Sequence, residues 1–159
     1  MISPTALCIH QHLDLRSGAL IKTPVSVSCP SHPHNAQWPP PHKIDTFAIW
    51  DTAATNTAFD RELVAQLGLK PDDECIVQTG GGLTDSHFHT ADVCLYGKPF
   101  SGVAVVELDI LRRDTPDNRP ARVLIGMDII MEGDFALTLS GNKLELFFRV
   151  PSQGLAVPI

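Results

Sequence analysis

The stretch "AIWDTAATNTAFD", residues 48–60, ends an apolar run on a carboxylate, Asp51. Residues 47–50 are apolar on both faces, which predicts a buried strand whose end leaves Asp51 in a partly buried place. Ala53 and Ala54 are small enough for other backbone, or a substrate, to approach that carboxylate. General acid–base chemistry is what such a group can carry. The same residues also suit a plain strand-end turn, in which the Asp side chain caps the local backbone. Asp-Thr alone is a weak signal, because Asp45-Thr46 and Asp114-Thr115 repeat it. Context separates Asp51 from them.

Other reactive side chains offer less. Ser86 and His87 are adjacent, so in a strand they point to opposite faces and form no simple catalytic pair. His87 and His89 share a face, lack a third ligand and are expected to face solvent. His32, His34 and His42 sit in a Pro-rich stretch whose spacing matches no zinc motif. Gly80, Gly81 and Gly82 are consecutive, but no Lys follows them, so they build no phosphate cradle. Cys8, Cys29, Cys75 and Cys94 include no C-x-x-C pair; they are expected as reduced thiols of a cytoplasmic protein, with Cys75 and Cys94 buried. No metal and no cofactor is called for.

The elements that must position Asp51 are mainly β. "TPVSVSC" (23–29) alternates, and "KIDTFAIWD" (43–51) resumes strand character after "PSHPHNAQWPPPH" (30–42), whose prolines exclude a strand or helix interior. Together they predict a hairpin with a long, stiff loop. "TAFDRELVAQLGL" (57–69) is the clearest helix: Phe59, Leu63 and Leu67 share a face, Thr57 and Asp60 make a cap-like start, and Gly68 suits the stop. Strands are expected at 74–79, 87–96, 102–108 and 123–126, and a helical turn at "MDIIME" (127–132). "FALTLSGNKLELFF" (135–148) reads as a hairpin turning at Gly141-Asn142. Arg112, Arg113, Arg119 and Arg122 join Asp114 and Asp117 in a loop expected to be solvated.

On these residues the chain resembles a known family. Asp51-Thr52-Ala53-Ala54-Thr55 is similar to the D-T-G-A-[ST] signature of retropepsin-like aspartic proteases, of the bacterial and cellular single-domain type. "VLIGMDII" (123–130) resembles that family's second, apolar-apolar-Gly element, about seventy residues later. The resemblance spans about residues 22–150. It implies a closed β-barrel of the acid protease fold with one or two short helices. Residues 1–22 are then an N-terminal segment, 23–150 the protease domain and 151–159 a tail.

What the resemblance implies for function is an endopeptidase. Two carboxylates sharing one proton activate a water, and like charges so close cannot both ionise. One copy of the motif in a short chain implies that the pair comes from two Asp51 residues across the axis of a homodimer. Thr52 would hold the two loops together, and Ala53, Ala54 and Thr55 would complete the active-site loop. Gly80, Gly81 and Gly82 would tip a mobile flap, where the residues alone suggest an ordinary flexible loop. Leu124, Ile125 and Gly126 would support the site from below, with Asp128 a salt-bridged or capping carboxylate. The family usually has Gly at position 53; a negative φ there would accommodate the extra methyl. A catalytically silent domain that binds peptides or dimerises is the alternative.

Composition agrees with a single globular domain. The 159 residues are 43% hydrophobic and carry a net charge of -6, a poor prior for nucleic acid or an anionic membrane. No apolar run approaches a membrane span, and the first residues lack the basic and apolar regions of a secretion signal. A peptide or protein substrate and a second copy of the chain are the expected partners.

Overall fold

The computed structural model describes residues 6–14, 21–30, 42–110, 120–141 and 143–154. Within them run β1 (Leu7–Asp14), β2 (Lys22–Ser28), β3 (Lys43–Trp50), β4 (Ala58–Asp60), α1 (Arg61–Leu67), β5 (Asp73–Thr79), β6 (Gly82–Leu95), β7 (Lys98–Leu108), β8 (Ala121–Ile125), α2 (Met127–Ile130), β9 (Asp134–Ser140) and β10 (Lys143–Val150).

Six strands close a barrel. They follow the order β2-β3-β8-β4-β7-β6, and β6 returns to β2 through Ser26↔Cys94, Val27↔Val93 and Ser28↔Asp92. Closure removes the free edges that an open sheet would present. Alternation fills the interior: Thr23, Val25 and Val27 of β2 and Ala48 and Trp50 of β3 point inward. The two side-chain polar groups among these satisfy each other: the Thr23 hydroxyl accepts a hydrogen bond from Trp50 Nε1 at 3.0 Å. β5 lies outside the ring and, among the described residues, pairs only with β6.

A second sheet, in the order β1-β10-β9, packs on the barrel. Leu7, Ile9, Leu146, Phe148 and Val150 are its buried face. Trp50 joins the layers, stacked on Phe135 at 5.8 Å and edge-on to Phe148 at 4.9 Å. Burying side chains of this size contributes about 1.5–3 kcal/mol each.

The fold is mainly β with two short helices, as expected. β2 and β3 pair antiparallel over their full length, and the β9–β10 hairpin forms with Ser140 opposite Lys143. Several expectations need correction. Helix α1 begins at Arg61, not near Thr57, because residues 58–60 are recruited as a strand between β7 and β8. Asp60 is its cap, accepting from Glu62 N at 3.2 Å, and Gly68 ends it at φ 65°. β6 and β7 begin earlier than expected, at Gly82 and Lys98. β1 was not anticipated at all, although it pairs with β10 from Leu7↔Val150 to Asp14↔Lys143. His89 is buried, not solvent-facing. Cys75 and Cys94 are half-buried rather than buried. Arg122 leaves the charged loop and packs on α1, donating from Nη1 to Gln66 Oε1 at 2.9 Å. The Pro-rich residues 31–41 and the loop residues 111–119 lie outside the described residues.

Candidate active site

Asp51 directly follows β3, which runs parallel to β8 with Trp50 opposite Ile125. The chain then turns sharply. Ala54 N donates to Asp51 O at 3.2 Å, and Ala53 N donates to Asp51 Oδ1 at 2.9 Å. The carboxylate therefore caps its own turn, as the simpler sequence expectation had it. That use occupies one oxygen; Oδ2 makes no hydrogen bond among the described residues. Asp51 is half-buried, while Thr52, Ala53 and Thr55 are exposed on the surface of the chain.

Six hydrogen bonds stitch this loop to residues 125–128. Asp51 N donates to Ile125 O at 2.9 Å, Met127 N to Ala54 O at 2.8 Å and Asp128 N to Thr55 O at 3.2 Å. Gly126 N donates to Thr57 Oγ1 at 3.2 Å. Thr57 in turn donates from N to Asp128 Oδ2 at 2.9 Å and from Oγ1 to Asp128 Oδ1 at 2.7 Å. The two sequence signatures thus form one structural unit. Leu124 and Ile125 lie in the strand beneath the loop, and Asp128 is the brace.

Gly126 has no substitute at this contact. A Cβ there would lie 2.4 Å from Asn56 C, 2.5 Å from Asn56 O and 2.7 Å from Thr57 N, all backbone atoms. Ala53, by contrast, sits without strain. Among the described residues Tyr96 is the only non-glycine with positive φ, so position 53 does not require glycine.

The three glycines belong to another element. Gly80 and Gly81 turn the β5–β6 hairpin, and Gly82 opens β6 at φ 115°. Thr79 Oγ1 clasps the turn, donating to Gly82 O at 3.0 Å and accepting from Gly81 N at 3.2 Å. Ile76 and Leu83 on its arms are 70% and 73% exposed, an unusual state for large apolar side chains. Their cross-strand partners, Asp85 and Gln78, show that both occupy one face of the hairpin.

Sequence alone missed the role of Thr57, expected as a helix cap, whereas Asp128, expected as a salt-bridged or capping carboxylate, does cap backbone and hydroxyl hydrogens, those of Thr57. The signal was present in the pairing of a Thr after the first signature with an Asp two residues after the second glycine. Among the described residues no group of three or more His, Cys, Asp and Glu is placed to hold a metal ion, and no helix is long and apolar enough to cross a membrane.

No curated protein matches the chain at a significant level. Among solved structures it is similar to a retropepsin-like aspartic protease from Rickettsia conorii, at 16% identity and a TM-score of 0.48, over 94% of this chain and 98% of that one. It is also similar to the protease of simian foamy virus, at 13% identity and a TM-score of 0.41, over 69% of this chain and 93% of that one. A family model described as aspartyl protease matches residues 44–129, more than half of the chain, a span that holds the first signature and all but the last residue of the second. The chain belongs to the aspartyl protease family.

Proposed function

We propose that the protein is an aspartic endopeptidase whose active site is a pair of Asp51 carboxylates, one from each protomer of a homodimer. The observation that carries this is Asp51 itself. It is held at a braced strand end with one oxygen committed to Ala53 N and the other without a hydrogen bond among the described residues, on a surface where Thr52 and Ala53 are exposed. One chain supplies half of a dyad, and an isologous contact supplies the rest.

In that dyad one carboxylate is ionised and its neighbour protonated. The ionised Asp51 takes a proton from a water as its oxygen attacks the scissile carbonyl carbon. The protonated Asp51 gives its proton to the carbonyl oxygen, yielding a neutral tetrahedral diol. Collapse of the diol breaks the C–N bond. The amine leaves with the proton held by the first carboxylate, while a hydroxyl proton of the diol returns to the second. Thr52 of each protomer would join the two loops, with Ala53, Ala54 and Thr55 lining the floor. The β5–β6 hairpin, tipped by Gly80, Gly81 and Gly82, would close as a flap and present Ile76 and Leu83 to apolar substrate side chains. Four free cysteines fit a reducing compartment such as the cytoplasm.

A peptide-library cleavage assay between about pH 4 and 7, with Asp51→Asn beside wild type and the mass of each in solution, tests the proposal. Cleavage by a dimeric wild type that a dimeric variant loses supports it. A folded dimer that cuts nothing moves the function to peptide binding, and a folded monomer removes the basis for a dyad.

A further inference from the structure

The barrel closes over only part of β7. Strand β4 pairs with Val106–Leu108 alone, so on that side Lys98–Val105 has no strand partner among the described residues. One bond sets which groups face that side. Val106 N donates to Thr57 O at 2.9 Å, so the polar backbone groups of Val106 face β4. Pairing with β6 is regular from Val106 to Ala104, and the two-residue repeat turns the N–H and C=O of Ala104 the same way. There the chain that precedes β4 has left the sheet, because the Asn56 backbone packs on Gly126.

A groove of about 450 Å³ runs between this uncovered edge and α2. Asn56, Ala104, Asp128 and Glu132 line it, together with the buried Phe100 and Ile129. A bulge bends β7 beside it: Ser101 and Gly102 together stand opposite Asp92, whose Oδ1 accepts from Gly102 N at 2.9 Å. Ser101, Gly102 and Ala104 are exposed and carry little or no side chain, so a second backbone can come within hydrogen-bond reach. The lining sets two carboxylates, Asp128 and Glu132, against one ammonium, Lys98. Asp128 is committed to Thr57, whereas Glu132 is exposed and has no ion-pair partner among the described residues.

We propose that this groove takes an extended polypeptide as an added strand beside Ala104, with a basic side chain at Glu132, and that this polypeptide is the distal part of the substrate. Main-chain hydrogen bonds supply such a contact, and side chains select within it. The place of the groove argues for substrate. Asn56 lies five residues beyond Asp51, and that length of chain spans at most about 18 Å. An extended chain cut at Asp51 therefore reaches the groove about six residues from the scissile bond. A two-fold pair of protomers carries one groove on each side of the cut. The substrate class is then an unfolded polypeptide with basic residues flanking the cut, in place of a short peptide. As a substrate site the groove rests on the peptidase proposed above; as a strand-addition site it does not.

Two readouts separate those claims. In the first, full-length Asp51→Asn, chosen so that the probe stays uncut, is titrated with a synthetic peptide rich in Thr and Val with a central Arg. Backbone amides are followed by NMR. Those of 101–104 should shift and those of 22–28 in β2 should not. With the peptide at about ten times its Kd, exchange of the Ala104 amide should slow about tenfold. Adding Glu132→Lys should weaken the Arg peptide about fivefold and favour its Glu counterpart. Shifts confined to other surfaces, or an Arg preference that survives Glu132→Lys, overturn the groove. In the second, wild type is given a cleaved library peptide and the same peptide lengthened by about eight residues that include Arg. The extension should lower KM about fivefold at unchanged kcat, and should not do so in Glu132→Lys. Equal KM values overturn the assignment to substrate. If nothing is cut, the peptidase reading fails and the substrate role with it, while the first readout still decides the groove.

Discussion

Asp128 takes both polar hydrogens of Thr57, the amide at 2.9 Å on Oδ2 and the hydroxyl at 2.7 Å on Oδ1. The two residues are 71 positions apart, and their contact locks the turn after Asp51 to the start of α2. Thr57 is fully buried, so neither hydrogen has water as an alternative. Asp128→Ala should therefore cost about 3 kcal/mol of stability, the range for losing a charged acceptor from buried donors. Asp128→Asn, which keeps one acceptor oxygen, should lose about half as much. Urea titration of the three proteins checks the order; equal midpoints would show that the brace is idle.

Gly126→Ala is expected to be worse than an ordinary overpacking change. The methyl would meet three backbone atoms of Asn56 and Thr57 at 2.4–2.7 Å, and backbone cannot rotate aside as a side chain can. A loss of about 3 kcal/mol or more is expected. Thermal unfolding measures it, and a near-neutral substitution would mean that the loop and α2 are not in the contact described.

Ala53→Gly should change little. Position 53 is exposed and has no positive φ, so glycine gains no conformational access there and adds freedom to the unfolded chain. Stability is expected to fall by about 0.4–1 kcal/mol. Peptide cleavage should stay within about threefold of wild type, a difference of well under 1 kcal/mol in barrier. A gain of orders of magnitude in cleavage would show that the alanine methyl obstructs the site.

Acid stability should depend on Asp134. The Ser152 hydroxyl, the Gln153 amide and the Arg149 guanidinium hold its carboxyl well below the usual carboxylate range. In the unfolded chain the group titrates near pH ~4. Its contribution is thus full above that value and drains away as the pH falls further toward the folded value. Denaturant midpoints of wild type should drop more steeply below pH ~4 than those of Asp134→Asn. Parallel curves would contradict the clamp.

Much of this architecture was legible because period and punctuation agree with it. The hairpin at Gly141, the stop at Gly68 and the two signatures are local signals that tertiary contacts reinforce. Thr57 misled for a physical reason. A buried hydroxyl can serve a distant carboxylate as readily as its own helix, and sequence spacing does not say which. Residues 58–60 became a strand because two neighbouring strands offered pairing that outweighs a helix's first turn. His89 shows the same limit for strands. Alternation gives the face a residue shares, while whether that face is covered depends on β7 and α1. β1 carries a period of two in Leu7 and Ile9, but a strand whose partner lies at the other end of the chain has no local turn to announce it.

Subunit mixing tests the shared dyad most directly. Wild type and Asp51→Asn would be mixed at equal concentration, allowed to exchange protomers, and assayed for peptide cleavage near pH ~5 against wild type at the same total concentration. If the site needs both Asp51 carboxylates, only wild-type pairs are active, and about a quarter of the activity remains. Retention of about half, as for sites that each work within one chain, would contradict the account.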